Sequence, residues 1–232
     1  MKKQTAIKGL YAIIDTTYVK PENAEGVASA MLSAGARIIQ LRCKGSRGTH
    51  GVPIRRMGRH GSSEFLSMAK KIQKLCARKK ATFIVNDRID VALMSRADGA
   101  HLGQDDFPPE EARRLLGKNS VIGFSTHSLK QALEGERLYK RDIINYISLG
   151  PIFKTKTKAG AAPIVGLKTL NRAASAITVP IVAIGGITGK TLPSVMKNGA
   201  ACAALISELL AASDIKKKTR SLLAIAAAIK RR

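Results

Sequence analysis

Short apolar, β-branched runs recur along the whole chain, and most are followed by a stretch whose apolar positions return with helical period. LYAIID (10–15) precedes ENAEGVASAMLSAG, and RIIQLR (37–42) precedes SSEFLSMAKKIQKLCARK after an irregular gap. TFIVND (82–87) leads into RIDVALMSR, and GAHLG (99–103) leads into PPEEARRLLG, where Pro108 and Pro109 suit a helix entry. VIGFST, NYISLGPIF, PIVAIGG and CAALIS supply four more runs, again separated by helical segments. The last of those segments is a long Ala/Leu/Ile-rich stretch that ends in basic residues.

The pattern predicts eight strand–helix units. Strands that read as continuous apolar runs belong to parallel sheets covered on both faces. Eight such units in 232 residues predict a single (β/α)8 barrel occupying 1–232, with a doubly wound open sheet as the plainer competitor. One segment breaks the rhythm: CKGSRGTHGVPIRRMGRHG is Gly-rich, basic and without period, and it sets an irregular insertion at about 45–61. Its composition favours disorder over a lid closing on an anionic substrate.

Composition narrows the class. Forty-five per cent of residues are hydrophobic, enough for a substantial core and too many for a disordered chain. Three cysteines are too few and odd in number for a disulfide scaffold, and no run of about eighteen residues is apolar enough to span a membrane. No apolar run with a cleavage site follows the basic N-terminus, so the chain reads as a soluble, cytoplasmic protein. Forty Lys and Arg against 16 Asp and Glu give a net charge of +24, which fits phosphorylated substrates or nucleic acid. With no Trp, four Tyr and five Phe, the chain lacks the aromatic platform that nucleic-acid modules use, but composition alone leaves the choice open.

In a parallel barrel the active site is built at the C-terminal ends of the strands. QLRCK places Gln40, Arg42 and Lys44 on one face of the second strand. The third run ends in Asn86 and Asp87, GQDD follows the fourth with Asp105 and Asp106, and the fifth ends in Ser125, Thr126 and His127. GPIFKTKTKAG offers Thr155, Thr157 and Lys158, the seventh run ends in Gly185 and Gly186, and the eighth in Ile206 and Ser207. Asp87 and Asp106 are hard oxygen donors with no His or Cys pair beside them, a set that suits Mg2+. Arg42, Lys44 and Lys158 bring positive charge, and Ser125, Thr155 and Thr157 bring hydroxyls, which together make a pyrophosphate clamp. Gly185 and Gly186, with the end of the eighth run, form a second phosphate pocket.

Taken singly, these residues have plainer readings. An Asn-Asp pair is a turn or cap, and Asp105 or Asp106 prepares the Pro-started helix. TKTK is a solvated basic loop, and His127 is polar scaffolding. His101 is a hydrogen-bonded core residue. Cys43, Cys76 and Cys202 are small hydrophobes, and Lys70, Lys71, Lys74, Arg78, Lys79 and Lys80 form a solvated helix face. Their joint position at one end of the strands favours the site.

In this order, QLRCK, FIVNDRIDVAL, ADGAHLGQDD, IGFSTHS, GPIFKTKTK, VPIVAIGGIT and ALIS resemble the thiamine-phosphate synthases over nearly the whole chain. The resemblance implies a Mg2+-dependent (β/α)8 transferase of small phosphorylated substrates. It would join 4-amino-2-methyl-5-hydroxymethylpyrimidine diphosphate to 4-methyl-5-hydroxyethylthiazole phosphate, or its carboxylated form, giving thiamine phosphate and diphosphate. The family's pyrimidine-diphosphate contacts fall on Gln40, Arg42, Lys44, Asn86, Ser125 and Lys158, of which Arg42, Lys44, Ser125 and Lys158 would act catalytically on the leaving group. Its metal carboxylates fall on Asp87 and Asp106, and its thiazole-phosphate contacts on Thr155, Thr157, Gly186, Ile206 and Ser207. Cys43 stands where the family carries an acidic residue, and the insertion directly follows Lys44. The resemblance brings no membrane and no specific nucleic acid, and it admits a homodimer. Two other readings remain: a thiazole tautomerase using a histidine near His127, and a barrel that binds polyanions through its charge.

Overall fold

The computed structural model describes residues 7–43, 59–155 and 163–229. Eight strands run β1 (Gly9–Asp15), β2 (Ile38–Arg42), β3 (Thr82–Asn86), β4 (Gly99–Leu102), β5 (Val121–Thr126), β6 (Tyr146–Leu149), β7 (Ile181–Ile184) and β8 (Cys202–Leu205). Each pairs in parallel with the next, and β8 pairs with β1, so the sheet closes into a barrel. The open-sheet alternative is thereby excluded. Helices α1 (Ala24–Ser33), α2 (Arg59–Arg78), α3 (Ile89–Ser95), α4 (Pro109–Leu116), α5 (Leu129–Lys140), α6 (Gly166–Ala176) and α7 (Leu192–Lys197) fill the crossovers. A short α8 (Ser207–Leu210) follows β8 directly, and α9 (Ile215–Ala228) completes the ring.

Two elements depart from their expected bounds. Helix α2 begins at Arg59, inside the interval read as irregular, while 45–58 lies outside the described residues. NYISLGPIF is a strand only from Tyr146 to Leu149. Beyond it, the Ile152 and Phe153 amides still donate to the Ile184 and Gly185 carbonyls, so the chain stays tied to β7 without continuing the ladder.

Strand alternation divides the apolar side chains between two cores. Leu10, Ala12 and Ile14 of β1, with Ile39, Leu41, Phe83 and Val85, face the helices. Tyr11, Ile13, Ile38, Ile84, Val121, Tyr146, Val182, Cys202 and Ala204 fill the barrel interior. Because both faces are covered, the strands carry apolar residues at successive positions. Inside, space is decisive at Gly123, which pairs with His101 on one side and Tyr146 on the other. A Cβ there would lie 2.1 Å from the Tyr146 ring and 2.4 Å from His101 Nδ1. Its absence lets those two rings stack, with centroids 5.5 Å apart.

The helix ends follow local chemistry. Pro109 opens α4 with Pro108 at its N-cap, Ser128 caps α5 by accepting from the Gln131 amide, and Asp214 caps α9 by accepting from Lys217. Lys70, Lys71, Lys74, Arg78, Lys79 and Lys80 are all exposed, as a solvated face requires. Cys76 and Cys202 are buried and Cys43 is half-buried. Burial pushes the Cys76 thiol up to about 12 and also raises Cys43, so neither carries thiolate character near neutrality. Among the described residues no helix is long and apolar enough to cross a membrane.

Glu136 of α5 fastens the helix layer to the segment between α6 and β7. Its carboxylate accepts from the Thr178 hydroxyl (2.7 Å) and from the Thr178 and Val179 amides (3.0 and 2.8 Å). Burial alone would raise its pKa; these bonds, with Lys140 alongside, hold it below the usual carboxylate value. Glu136→Ala leaves those donors without their acceptor and is expected to cost about 2–3 kcal/mol in urea denaturation at pH 7. A folded pKa below the unfolded one contributes stability above the ordinary carboxylate range. The difference between wild type and variant therefore shrinks as pH falls below about 4, which denaturation curves at pH 7 and pH 3 measure.

Candidate active site

The C-terminal ends of the strands surround a cavity of about 510 Å3, within the range of small-molecule sites. Gln40, Arg42, Asn86, Asp87, Asp106, Ser125, Thr155, Gly186, Ile206 and Ser207 all line it. Lys44, Thr157 and Lys158 lie outside the described residues. Ten side chains or backbone positions spread over 168 residues of sequence thus meet at one rim, because parallel strands present all their C-terminal ends on the same side.

The walls are chemically split. Strands β2 to β6 contribute Gln40, Arg42, Asn86, His101, Ser125 and Ser148, whereas β7 and β8 contribute Val182, Ile184 and Ala204, and β1 contributes Ile13 beside Tyr11. A flat polar ligand would meet donors on one side and aliphatic surface on the other. At the β7 end, Gly185 and Gly186 adopt φ of +98° and +64°, where only glycine is unstrained. A Cβ on Gly186 would sit 2.5 Å from the Lys154 carbonyl oxygen, so the backbone here packs directly on the loop after β6. Beside it, Ile206 leads into Ser207, the first residue of α8.

Arg42 is not a bare cation. Its guanidinium donates to the carboxylate of Asp15, which is fully buried at the end of β1 and also accepts from the Thr17 amide (2.9 Å) and hydroxyl (2.8 Å). The pair holds the guanidinium at the cavity wall with part of its fork committed. Asp106 accepts the Gly103 amide through Oδ2 at 2.7 Å, closing the turn after β4; the N-cap of α4 is Pro108, so Asp106 is not the helix cap. Asp87 sits at φ +63°, a left-handed backbone that costs a non-glycine residue about 1 kcal/mol, and its amide donates to the His101 carbonyl at 2.8 Å. The same backbone occurs at Lys80, Arg96 and Asp142, which do not line the cavity.

Several cavity residues were not singled out in the sequence. Tyr11, Gln104, Tyr146 and Ser148 line the cavity, and His101, read as core, forms part of its floor. His101 is indeed hydrogen-bonded, to the Tyr146 hydroxyl and the Ser125 hydroxyl, both at 3.0 Å. His127, read as scaffolding, reaches the cavity wall, and its Nδ1–H donates to the Gly150 carbonyl at 2.7 Å. Asp15 ends an apolar run just as Asp87 does, so the rule that flagged the other strand ends would have found it. The tyrosines carried no such signal, since Tyr within an apolar strand reads as core.

A family model described as thiamine monophosphate synthase matches residues 10–209. The thiamine-phosphate synthase of Pelotomaculum thermopropionicum is 40% identical over 216 residues, covering 93% of this chain and 91% of its own length. That of Methanosarcina mazei is 36% identical over 222 residues, covering 95% and 83%. Among solved structures, the thiamine phosphate pyrophosphorylase from Pyrococcus furiosus superposes with a TM-score of 0.78 at 32% identity, covering 95% of this chain and 96% of its own. A 3-hexulose-6-phosphate synthase, at a TM-score of 0.61 and 17% identity, shares the fold alone. Likeness in sequence and likeness in backbone both run the length of the barrel, and the chain belongs to the thiamine monophosphate synthase family.

Proposed function

We propose that this barrel joins 4-amino-2-methyl-5-hydroxymethylpyrimidine diphosphate to 4-methyl-5-hydroxyethylthiazole phosphate, or its carboxylated form, releasing diphosphate. The observation that carries the reading is the split cavity: polar groups for an aminopyrimidine and its diphosphate on the β2–β6 side, and a glycine-rich backbone turn beside Ser207 for a separate phosphate. The chemistry is loss of diphosphate from the pyrimidine's exocyclic methylene, followed by capture of that carbon by the thiazole nitrogen. Neither step needs a nucleophile or a strong base from the protein.

What the residues must do is stabilise charge on the leaving group and hold the acceptor in line. Arg42, oriented by Asp15, and the Ser125 hydroxyl would face the diphosphate. Gln40 and Asn86 would read the pyrimidine against the aliphatic wall of Ile13 and Ile184. Thr155, Gly186, Ile206 and Ser207 would grip the thiazole phosphate, remote from the reacting atoms, so that binding energy there positions the ring. Asp87 and Asp106 fit Mg2+: two carboxylates at one rim match an ion that takes few protein ligands, and no larger His, Cys, Asp or Glu cluster exists among the described residues. Bound there, the ion would supply neutralising charge to the diphosphate.

One observation keeps the tautomerase reading in view. A carbonyl only accepts, so the Gly150 contact assigns the His127 proton to Nδ1 and leaves Nε2 as a possible proton acceptor at the cavity wall. A tautomerase has no use for the Arg42, Asp87 and Asp106 set, which favours coupling. The deciding experiment is a coupling assay, with and without Mg2+, run beside a thiazole isomerisation assay. Asp87→Ala is expected to lower Mg2+-dependent coupling by about 100-fold or more while its thermal melt stays cooperative; a variant of near wild-type rate removes Asp87 from the metal site. Ser207→Ala is expected to raise the KM for the thiazole phosphate roughly tenfold with little change in that for the pyrimidine diphosphate, as loss of one charge-assisted hydrogen bond implies.

A further inference from the structure

Beneath the cavity a continuous line of hydrogen bonds crosses five strands. Gln40 Nε2 donates to the Tyr11 hydroxyl at 3.1 Å, and the Tyr11 and Tyr146 hydroxyls are 2.7 Å apart. The Tyr146 hydroxyl lies 3.0 Å from His101 Nδ1, and His101 Nε2 lies 3.0 Å from the Ser125 hydroxyl. Four of the five members are buried: Gln40 at 3%, Tyr11 at 1%, Tyr146 at 0% and His101 at 8% exposure. We propose that Tyr11, Tyr146 and His101 are positioning residues, whose hydrogen-bond chain ties the donor pattern of Gln40 to that of Ser125. The proposal rests on the coupling reaction above, in which both ends face the pyrimidine diphosphate.

Proton counting sets the direction of the chain. A phenol has a single proton. Tyr11 accepts from Gln40, so its own proton goes to Tyr146, its other hydrogen-bond partner among the described residues. Tyr146 then donates to His101 Nδ1, which places the imidazole proton on Nε2, and Nε2–H donates to Ser125 Oγ. Ser148 adds a second donor, its hydroxyl lying 3.5 Å from Ser125 Oγ and 3.3 Å from His101 Nε2. With two donors entering its oxygen, Ser125 has its own proton left for the cavity. A diphosphate oxygen only accepts, so this is the polarity the substrate needs.

Turning the Gln40 carboxamide to present Oε1 to Tyr11 would reverse every bond in the line. His101 Nε2 would then accept from the nearer hydroxyl, Ser125 at 3.0 Å against Ser148 at 3.3 Å, and Ser125 would offer lone pairs to an anion. The chain thus has two discrete arrangements, and the orientation of the Gln40 carboxamide sets the orientation of the Ser125 hydroxyl. Burial raises the pKa of both phenols well above their ordinary value, so the line transmits orientation without ionising.

Two measurements test this. In 15N spectra of the full-length protein without substrate, with four histidines to assign, His101 is expected to carry its proton on Nε2. Tyr146→Phe, which keeps the ring and removes one oxygen, should shift the His101 Nδ1 signal by taking away its donor. A proton found on Nδ1 of the wild type overturns the proposal. In coupling kinetics, Tyr146→Phe should raise the KM for the pyrimidine diphosphate about fivefold and leave that for the thiazole phosphate unchanged. Should Tyr146→Phe fail to fold, Tyr11→Phe cuts the same line from another strand. A cycle of Gln40→Met and Ser125→Ala should be non-additive by about fivefold in the wild type and additive once the line is cut. Additivity in the uncut protein overturns the proposal. A wild type that joins no substrates overturns the reaction assigned above, whereas the substrate-free spectrum decides the direction of the chain by itself.

Discussion

Closure of the sheet is the constraint on which everything else depends. Once β8 pairs with β1, alternate side chains from all eight strands share one interior, and none can turn to solvent except at the mouth. The interior answers with a gradient. Ile38, Val121 and Cys202 occupy positions nearer the strand starts, whereas Arg42, Asn86, Ser125 and Ser148 stand nearer the ends. Polar groups at middle depth survive by pairing with one another: Tyr11 with Tyr146, Tyr146 with His101, His101 with Ser125. No buried side-chain nitrogen or oxygen among the described residues is left without a partner. A half-satisfied network would weigh against the fold; a complete one stiffens the floor of the site.

The same closure makes the mouth asymmetric. Strands β7 and β8 keep aliphatic groups up to the rim, and backbone takes over where their side chains stop. Gly185 and Gly186 bring main chain against the loop after β6, while the short α8 starts immediately beyond β8. One barrel end therefore offers two unlike binding environments side by side, which suits the proposed coupling. The large positive charge plays a more general part. It sits on outer helix faces such as that of α2 and raises the local concentration of anions without selecting among them.

Most of the site could be read from strand endings. Asn86, Asp87, Asp106, Ser125 and Ser207 each follow an apolar run, and in a parallel barrel that position alone delivers them to a common rim. What could not be read was commitment. Nothing local to Arg42 shows that Asp15, 27 residues away, accepts from its guanidinium. Asp106 could equally have capped a helix, and the Gly103 contact shows that its carboxylate closes the turn after β4. The floor was hidden for a different reason. Tyr11 and Tyr146 are 135 residues apart, and inside apolar strands their rings are indistinguishable from core until the partner hydroxyl is in place.

Taken alone, the sequence determined the number and order of the strands, their burial on both faces, and the residues that end them. Those properties follow from local periodicity and from the chemistry of short segments. Tertiary structure decided which inward-facing groups touch, which charges neutralise one another, and which glycine clears space for which ring. Such relations depend on the register of closure, where a shift of one residue would exchange inner and outer faces along a whole strand, and no local stretch of sequence carries that information.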